Sequence, residues 1–265
     1  MQTVALIGES TLNGLGYVGS LAALGARAAY YTLVAPFQGK PLRLQRAISQ
    51  AVDVGVRALP ILSLITFFIG LILALQAAYE LRRFGAMSAV ATAVAVSISR
   101  ELGPLITAIV VIGRSGSAFA AEIGTMSVTE EIDALRVMAF EPVEFVLAPK
   151  YLAALIMVPC LTIASNVCGI LAGGIFMFFS THLSLGLYLH YVLTSIQLRD
   201  VISGLIKSLA FATIIVHVGC LEGFRVHGGP DAVGRSTTTA VVKSTFLVIV
   251  ADVIFTAIFY FTGKH

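Results

Sequence analysis

The chain has 265 residues, of which 58% are hydrophobic and only 12% charged, with a mean hydropathy of +0.95, whereas an average soluble domain is roughly 25% charged. That excludes a soluble globular protein and describes an integral membrane protein. The small excess of Lys and Arg over Asp and Glu, 17 against 14, sits at the edges of apolar runs without interleaved aromatics, so it is a topology signal and not a nucleic-acid surface.

The first residues, MQTVALIGESTLNG, lack the basic region and cleavage site of a signal peptide and are expected to remain in the protein. Residues 4–35 are apolar but interrupted by Glu9, Ser10, Asn13 and Arg27. Such a segment is marginal for insertion, and an interfacial helix over 1–35 is the expectation. Gly14, Gly16 and Gly19 match the dinucleotide fingerprint literally. Without a soluble strand–turn–helix around it the match carries no chemistry, and the glycines read as places of close helix packing.

Residues 36–59 carry Pro36, Lys40, Pro41, Arg43, Arg46 and Arg57 and read as polar punctuation. Five apolar runs follow, at 59–79, 86–112, 151–179, 201–221 and 240–261; the first is close to the ~20 residues needed to cross ~30 Å of hydrocarbon, and none is shorter. The second contains a Gly103-Pro104 break and leaves through a small-residue turn, Gly113 to Ser117. The third contains Gly169 and Gly173 in GxxxG spacing, which lets another helix approach closely. Polar residues 180–200 separate the third from the fourth. Cys160, Cys168 and Cys220 lie in or beside apolar runs without CxxC spacing, so neither a disulfide framework nor a metal site is indicated. The fold class is therefore all-α: one polytopic helical domain over 1–265.

Five spans put the termini on opposite sides. With the N-terminus cytoplasmic, the inside holds eleven basic residues (Arg27, Lys40, Arg43, Arg46, Arg57, Arg114, Arg136, Lys150, Arg225, Arg235, Lys243) and the outside four (Arg82, Arg83, Arg199, Lys264). This bias places the loops 113–150 and 222–239 in the cytoplasm.

Four ionisable groups fall inside the spans: Arg100, Glu101, Lys207 and Asp252. Each costs roughly 2.5–3.5 kcal/mol at a helix centre, so two cations and two anions are expected to face one another or a wet cavity. They form either a polar belt beside a substrate cavity or a structural ion-pair cluster, and the two readings are compatible. Leu73, Gln76 and Tyr79 share a face near the outer end of the first span, suited to a lipid headgroup level or to an aromatic belt. After the second span, Ser127-Val-Thr-Glu130 fits a capping box, and Glu130, Glu131 and Asp133 load the first turn with acid. Ile132, Leu135 and Met138 recur every three residues, and Pro142 is expected to stop the helix. A short amphipathic helix of this kind can seat in a partner's groove or simply connect two spans. No G-x-x-x-x-G-K-[ST] loop occurs, so nucleotide hydrolysis is not expected in this chain. Gly113-Arg-Ser115-Gly116 has the GxSG pattern of rhomboid intramembrane proteases, with His217 near the same end, but the span count is one short and no oxyanion donor is identifiable.

RELGP (100–104), GRSGSAFAAEIGTM (113–126), TEEIDAL (129–135) and the surroundings of Lys207 and Asp252 together resemble the MlaE/YrbE family, the permease subunits of ABC transporters that move phospholipids across the Gram-negative envelope. The resemblance extends from about residue 40 onward. It implies a homodimer in the bacterial inner membrane, with the C-terminus periplasmic. The implied partners are a cytoplasmic ABC ATPase that binds the ATP and magnesium, a STAS-domain subunit and a periplasmic hexamer of MCE-domain subunits. No cofactor and no catalytic residue is implied in this chain. The region 122–140 corresponds to the family's coupling helix, with Glu122, Thr129, Glu130, Glu131, Asp133 and Leu135 at the ATPase. The lipid cavity is expected between the two permeases, involving Leu73, Gln76, Tyr79, Arg100, Glu101, Lys207 and Asp252. A proton-coupled secondary transporter using Glu101 and Asp252 is the main alternative.

Overall fold

The computed structural model describes residues 2–34, 44–181 and 184–262, and contains no strand among them. Pro36, Lys40, Pro41, Arg43 and Lys264 lie outside the described residues. Five helical rods are long and apolar enough to cross a membrane: Leu44–Arg82, Ala89–Val128, Val143–Ser180, Leu198–Phe224 and Pro230–Thr262. The expected number of spans is met, but the rods are longer than the apolar runs. At 1.5 Å per residue, the 40 residues of Ala89–Val128 extend about 60 Å, twice the hydrocarbon thickness.

The N-terminal helix α1 spans Gln2–Ala29 and continues into a π-turn, Tyr30–Val34. Gly14, Gly16 and Gly19 do not pack closely against another helix among the described residues: no atom of another element lies within 4 Å of where a Cβ would stand on any of them. Gly25 does approach another helix: its Cβ position is 3.5 Å from His217 Nε2.

The polar punctuation before the first span is itself helical. Helix α2 (Leu44–Val54) joins α3 (Leu59–Arg82) through one 3-10 turn, Val56–Ala58. Its polar residues lie on one face, while Ala47 and Val54 are buried and Leu44, Ile48 and Val52 exposed. Helical periodicity outweighed local polarity here.

The second rod comprises α4 (Ala89–Ser97), a π-turn (Ile98–Leu102), α5 (Gly103–Val111), a second π-turn (Ile112–Gly116) and α6 (Ser117–Val128). Gly103-Pro104 therefore does not break the helix. Pro104 falls in the first turn of α5, and the π-turn closes with Gly103 N–H donating to Ile98 O, so the missing proline N–H is absorbed by a register shift already made. Likewise 113–117 is not a turn but wound helix, which carries the rod on to Val128.

Helix α7 (Glu131–Val137) follows, without the expected capping box. Ser127 is still inside α6 and donates to Ile123 O at 3.0 Å, while Glu130 occupies the N-cap at φ 60° with no side-chain cap. The helix ends before Pro142 is reached, at a positive-φ residue, Ala139.

A π-turn, Val143–Leu147, opens into α8 (Ala148–Thr181). The expected GxxxG approach is present: a Cβ on Gly70 of α3 would lie 2.1 Å from Gly169 O, so α3 and α8 touch backbone to backbone. The stretch 180–200 is more than a polar link. It contains α9 (Leu185–Ser195), capped by Ser184 Oγ and holding Tyr188 with no exposed surface. The Tyr188 hydroxyl donates to Ile170 O at 3.0 Å, and burial pushes its pKa up to about 12, so it remains a donor at physiological pH. Helices α10 (Leu198–Phe224) and α11 (Pro230–Thr262) complete the chain. Helix α10 is central, with 56% of its most apolar window buried, against 11% for α11. One core gathers α2, α5, α6, α8 and α10; a second gathers α3, α4, α9 and the end of α8.

Candidate functional site

The buried cation of α10, Lys207, has a side chain only 1% exposed. Its ammonium donates to Glu101 Oε2, to Asp252 Oδ1 at 2.9 Å and to Thr256 Oγ1 at 2.8 Å. Thr256 Oγ1 lies 3.2 Å from Glu101 Oε2 and 2.8 Å from Asp252 O. Lys207 stands nine residues inside α10 and Asp252 ten residues from the end of α11, roughly 14–15 Å along each axis and therefore near mid-bilayer. A lone ammonium there would be prohibitive; three oxygen partners make it tolerable. One cation faces two carboxylates, of which Glu101 is the more open, at 38% exposed.

The four expected charges do not all meet. Arg100 leaves this cluster and pairs with Asp200 Oδ1 at 3.4 Å. Neighbours in sequence cannot point the same way on a helix, so Arg100 reaches the start of α10 while Glu101 reaches two turns deeper. Asp200 and Thr256 escaped the sequence reading. Asp200 was placed in the link, yet Gln197-x-x-Asp200 is a capping box: Gln197 N–H donates to Asp200 Oδ2 at 3.0 Å. Thr256 follows Asp252 by four residues, the spacing that puts both on one helix face.

A recess of about 280 Å³ opens beside the cluster, lined by Ser97, Arg100, Glu101, Ser203, Thr256 and Tyr260 among others. Leu73, Gln76 and Tyr79 are on α3, which packs mainly on α8 and α4. They do not line this recess. Leu73 is half-buried against the second core, Gln76 is exposed, and Tyr79, 64% exposed, accepts from Arg83 at 3.0 Å.

At the far end of the second rod, Thr129, Glu130, Glu131 and Asp133 are exposed. Thr129 donates to Glu131, and Arg136 to Asp133 at 2.8 Å. Leu135 and Ile132 face inward and are buried, so the apolar stripe of α7 seats it on its own chain. Exposed apolar surface comes instead from Val137 (88%), Met138 and Phe140. Glu122 is engaged within the chain, 2.6 Å from a buried Lys150 that sits 5.0 Å from the Phe119 ring centroid. Helix α1 is tied to the same end: Arg27 pairs with Glu141 at 3.8 Å, Arg225 donates to Ser20, and Tyr17 has Arg225 and Lys243 within 5.0 Å and 4.2 Å of its ring.

Ser115 is buried within the second π-turn. His217 has its Nδ1 2.6 Å from Thr213 O and its ring 4.9 Å from that of Tyr151, which accounts for it as a packed side chain on α10.

Residues 47–258 match the model of a family described as Permease MlaE. The chain is 35% identical over 255 residues, 96% of each protein, to a probable ABC transporter permease protein of Rickettsia typhi. It is 38% identical over 216 residues, 81% of each, to a probable ABC transporter permease protein of Synechocystis. A chloroplast protein of Arabidopsis thaliana named trigalactosyldiacylglycerol 1 is 33% identical over 216 residues, which cover 82% of this chain and 62% of that one.

Proposed function

The chain belongs to the MlaE permease family, the membrane subunits of ABC transporters, and from that membership we propose that it moves phospholipids between the inner and outer membranes of a bacterial envelope and so maintains lipid asymmetry. The observation that carries this reading is the single rod Ala89–Val128. One end holds Glu101 in the membrane-embedded cluster, and the other delivers the exposed acidic helix α7. A push on α7 therefore has a wound helical path to the recess beside Lys207.

Two copies face each other around a shared apolar cavity, with the α7 end cytoplasmic and the C-terminus periplasmic. A separate ATPase binds ATP and magnesium and grips α7 through Thr129, Glu130, Glu131 and Asp133. A STAS-domain subunit accompanies it, and an MCE-domain hexamer receives the lipid. The headgroup enters the recess at Arg100 and Glu101, backed by Lys207 and Asp252, while Leu73, Gln76 and Tyr79 meet the tails. A lipid cargo is supported by the glycerolipid in the name of the Arabidopsis relative and by the apolar residues exposed along α3 and α11. Nucleotide closure of the ATPases shifts the cavity between two states, and lipid is expelled because its affinity for them differs.

The test is the charge reversal Glu130→Lys/Glu131→Lys in the complex reconstituted into vesicles. The expected result is continued ATP hydrolysis with loss of movement of a labelled phospholipid to acceptor vesicles. Unchanged coupling would remove α7 from the mechanism, and transport without any ATPase would replace the reading with a secondary transporter.

A further inference from the structure

The positions of Arg100 and Glu101 depend on a π-turn, and a π-turn in a membrane helix needs something to hold it. The turn Ile98–Leu102 contains both residues and is flanked by ordinary α-helix. Relaxing it to a regular turn removes one residue's worth of offset and rotates one side of the rod by about 100° relative to the other. The rod could then not keep Arg100 against Asp200, Glu101 against Lys207 and α5 against α10 all at once. Asp200 and Lys207 stand seven residues apart on α10, about 10.5 Å along its axis, so the two adjacent side chains must diverge to meet both.

Two neighbouring helices press on this turn. Gly204 of α10 approaches so closely that a Cβ would lie 2.3 Å from Ser99 O. From a second helix, α8 presents Asn166. Two carbonyls, Ile98 O and Thr162 O, face the end of its side chain, which only a donor satisfies; with the amide nitrogen turned to them it donates to each at 3.3 Å. Ile98 O is the carbonyl that closes the π-turn by accepting from Gly103 N–H. Residue 103 must be glycine for the amide to be there at all, since a Cβ would lie 1.8 Å from the end of the Asn166 side chain. A bonded polar side chain is far less costly in apolar surroundings than an unbonded one, and in this orientation Asn166 is bonded to the frame of the charge cluster.

We infer that Asn166 is a positioning residue for Arg100 and Glu101: by donating to Ile98 O it holds the π-turn open, so that both charges reach their partners on α10. The inference rests on the reading of that cluster as the lipid site. It adds a residue on a different helix, seen in neither the motifs nor the recess lining.

The experiment uses the full complex, purified with its co-eluting ATPase, carrying N166L or N166A. N166L and N166A are expected to slow transfer of a fluorescent phospholipid between vesicles roughly five- to ten-fold, the scale of one net hydrogen bond. Cryo-EM density is expected to show residues 98–104 as a regular turn, with Glu101 out of reach of Lys207. N166L keeps the side-chain volume and lacks the donor; it is expected to be as slow as N166A. Transport at the wild-type rate in N166L would reduce the amide to a filler and overturn the inference. So would density in N166A that keeps the π-turn and the Glu101–Lys207 contact. N166A is the smallest change and serves if N166L does not assemble. If the wild-type complex moves no phospholipid, the phospholipid reading fails instead, and the density at 98–104 still decides the role of Asn166.

Discussion

Lys207 is the least exposed charge among the described residues, and its removal separates pairing from burial. Lys207→Met keeps the volume but leaves Glu101 and Asp252 facing each other across the vacated ammonium site. Removing one partner of a buried pair costs roughly 3–5 kcal/mol. The thermal midpoint of the detergent-solubilised protein should therefore fall well below wild type, and Lys207→Met/Asp252→Asn should regain part of the loss. A single variant as stable as wild type would mean that the carboxylates are not held as a charged pair. The Arg100–Asp200 bridge is a milder case. Arg100 is 45% exposed, so the bridge itself contributes little, about 0–1 kcal/mol. Asp200 also caps α10, and Asp200→Asn keeps an acceptor for that cap. Asp200→Ala should consequently destabilise by about 1 kcal/mol more than Asp200→Asn, and equal losses would remove the capping role.

At the level of elements, apolar periodicity made the five spans readable, because each run is long enough to fix a helix regardless of its neighbours. The joins were not readable. Polar residues such as Arg46 and Gln50 sit on one face of α2, which a reading by local polarity took for loop. Glycine and proline at 103 and 104 mark a break in a soluble helix, but in a buried rod neighbouring helices supply what the proline withholds. The cluster was half legible: Glu101, Lys207 and Asp252 stood out as charges in apolar runs, while Thr256 is neutral and Asp200 lay just outside the run. Asn166 drew no notice because one amide in an apolar run is unremarkable until the carbonyl it meets is known. Helix α9 yields its own prediction. Tyr188→Phe removes the bond to Ile170 O and should cost about 1 kcal/mol, whereas Tyr188→Ala should cost 3–5 kcal/mol through the cavity it leaves beside Gly173 and Gly174. Protease sensitivity of the 182–197 segment measures both, and equal sensitivity in the two variants would mean that Tyr188 is not what pins α9.

For the whole molecule, the decisive asymmetry is charge between the two ends of the bundle. Among the described residues, the end carrying α7 holds Arg27, Arg46, Arg57, Arg114, Arg136, Lys150, Arg225, Arg235 and Lys243, and the end carrying α9 holds Arg82, Arg83 and Arg199. Lys150 is compensated by Glu122, Lys243 by Glu222 and Arg57 by Asp53, yet the count of Lys and Arg and not net charge sets orientation. The α7 end should therefore face the cytoplasm. The rod geometry agrees with an aqueous α7: the 24 residues from 89 to 112 already extend about 36 Å, more than the ~30 Å of hydrocarbon, which leaves α6 and α7 beyond it. A membrane-impermeant thiol reagent tests the orientation once Cys160, Cys168 and Cys220 are replaced by alanine. In intact spheroplasts Leu193→Cys, on the exposed face of α9, should be labelled, and Thr129→Cys, exposed at the start of the α7 region, should be labelled only after the membrane is opened. The reverse pattern would place α7 outside the cell, where no ATP-driven motor could reach it, and the coupling role of the acidic helix would fall with the topology.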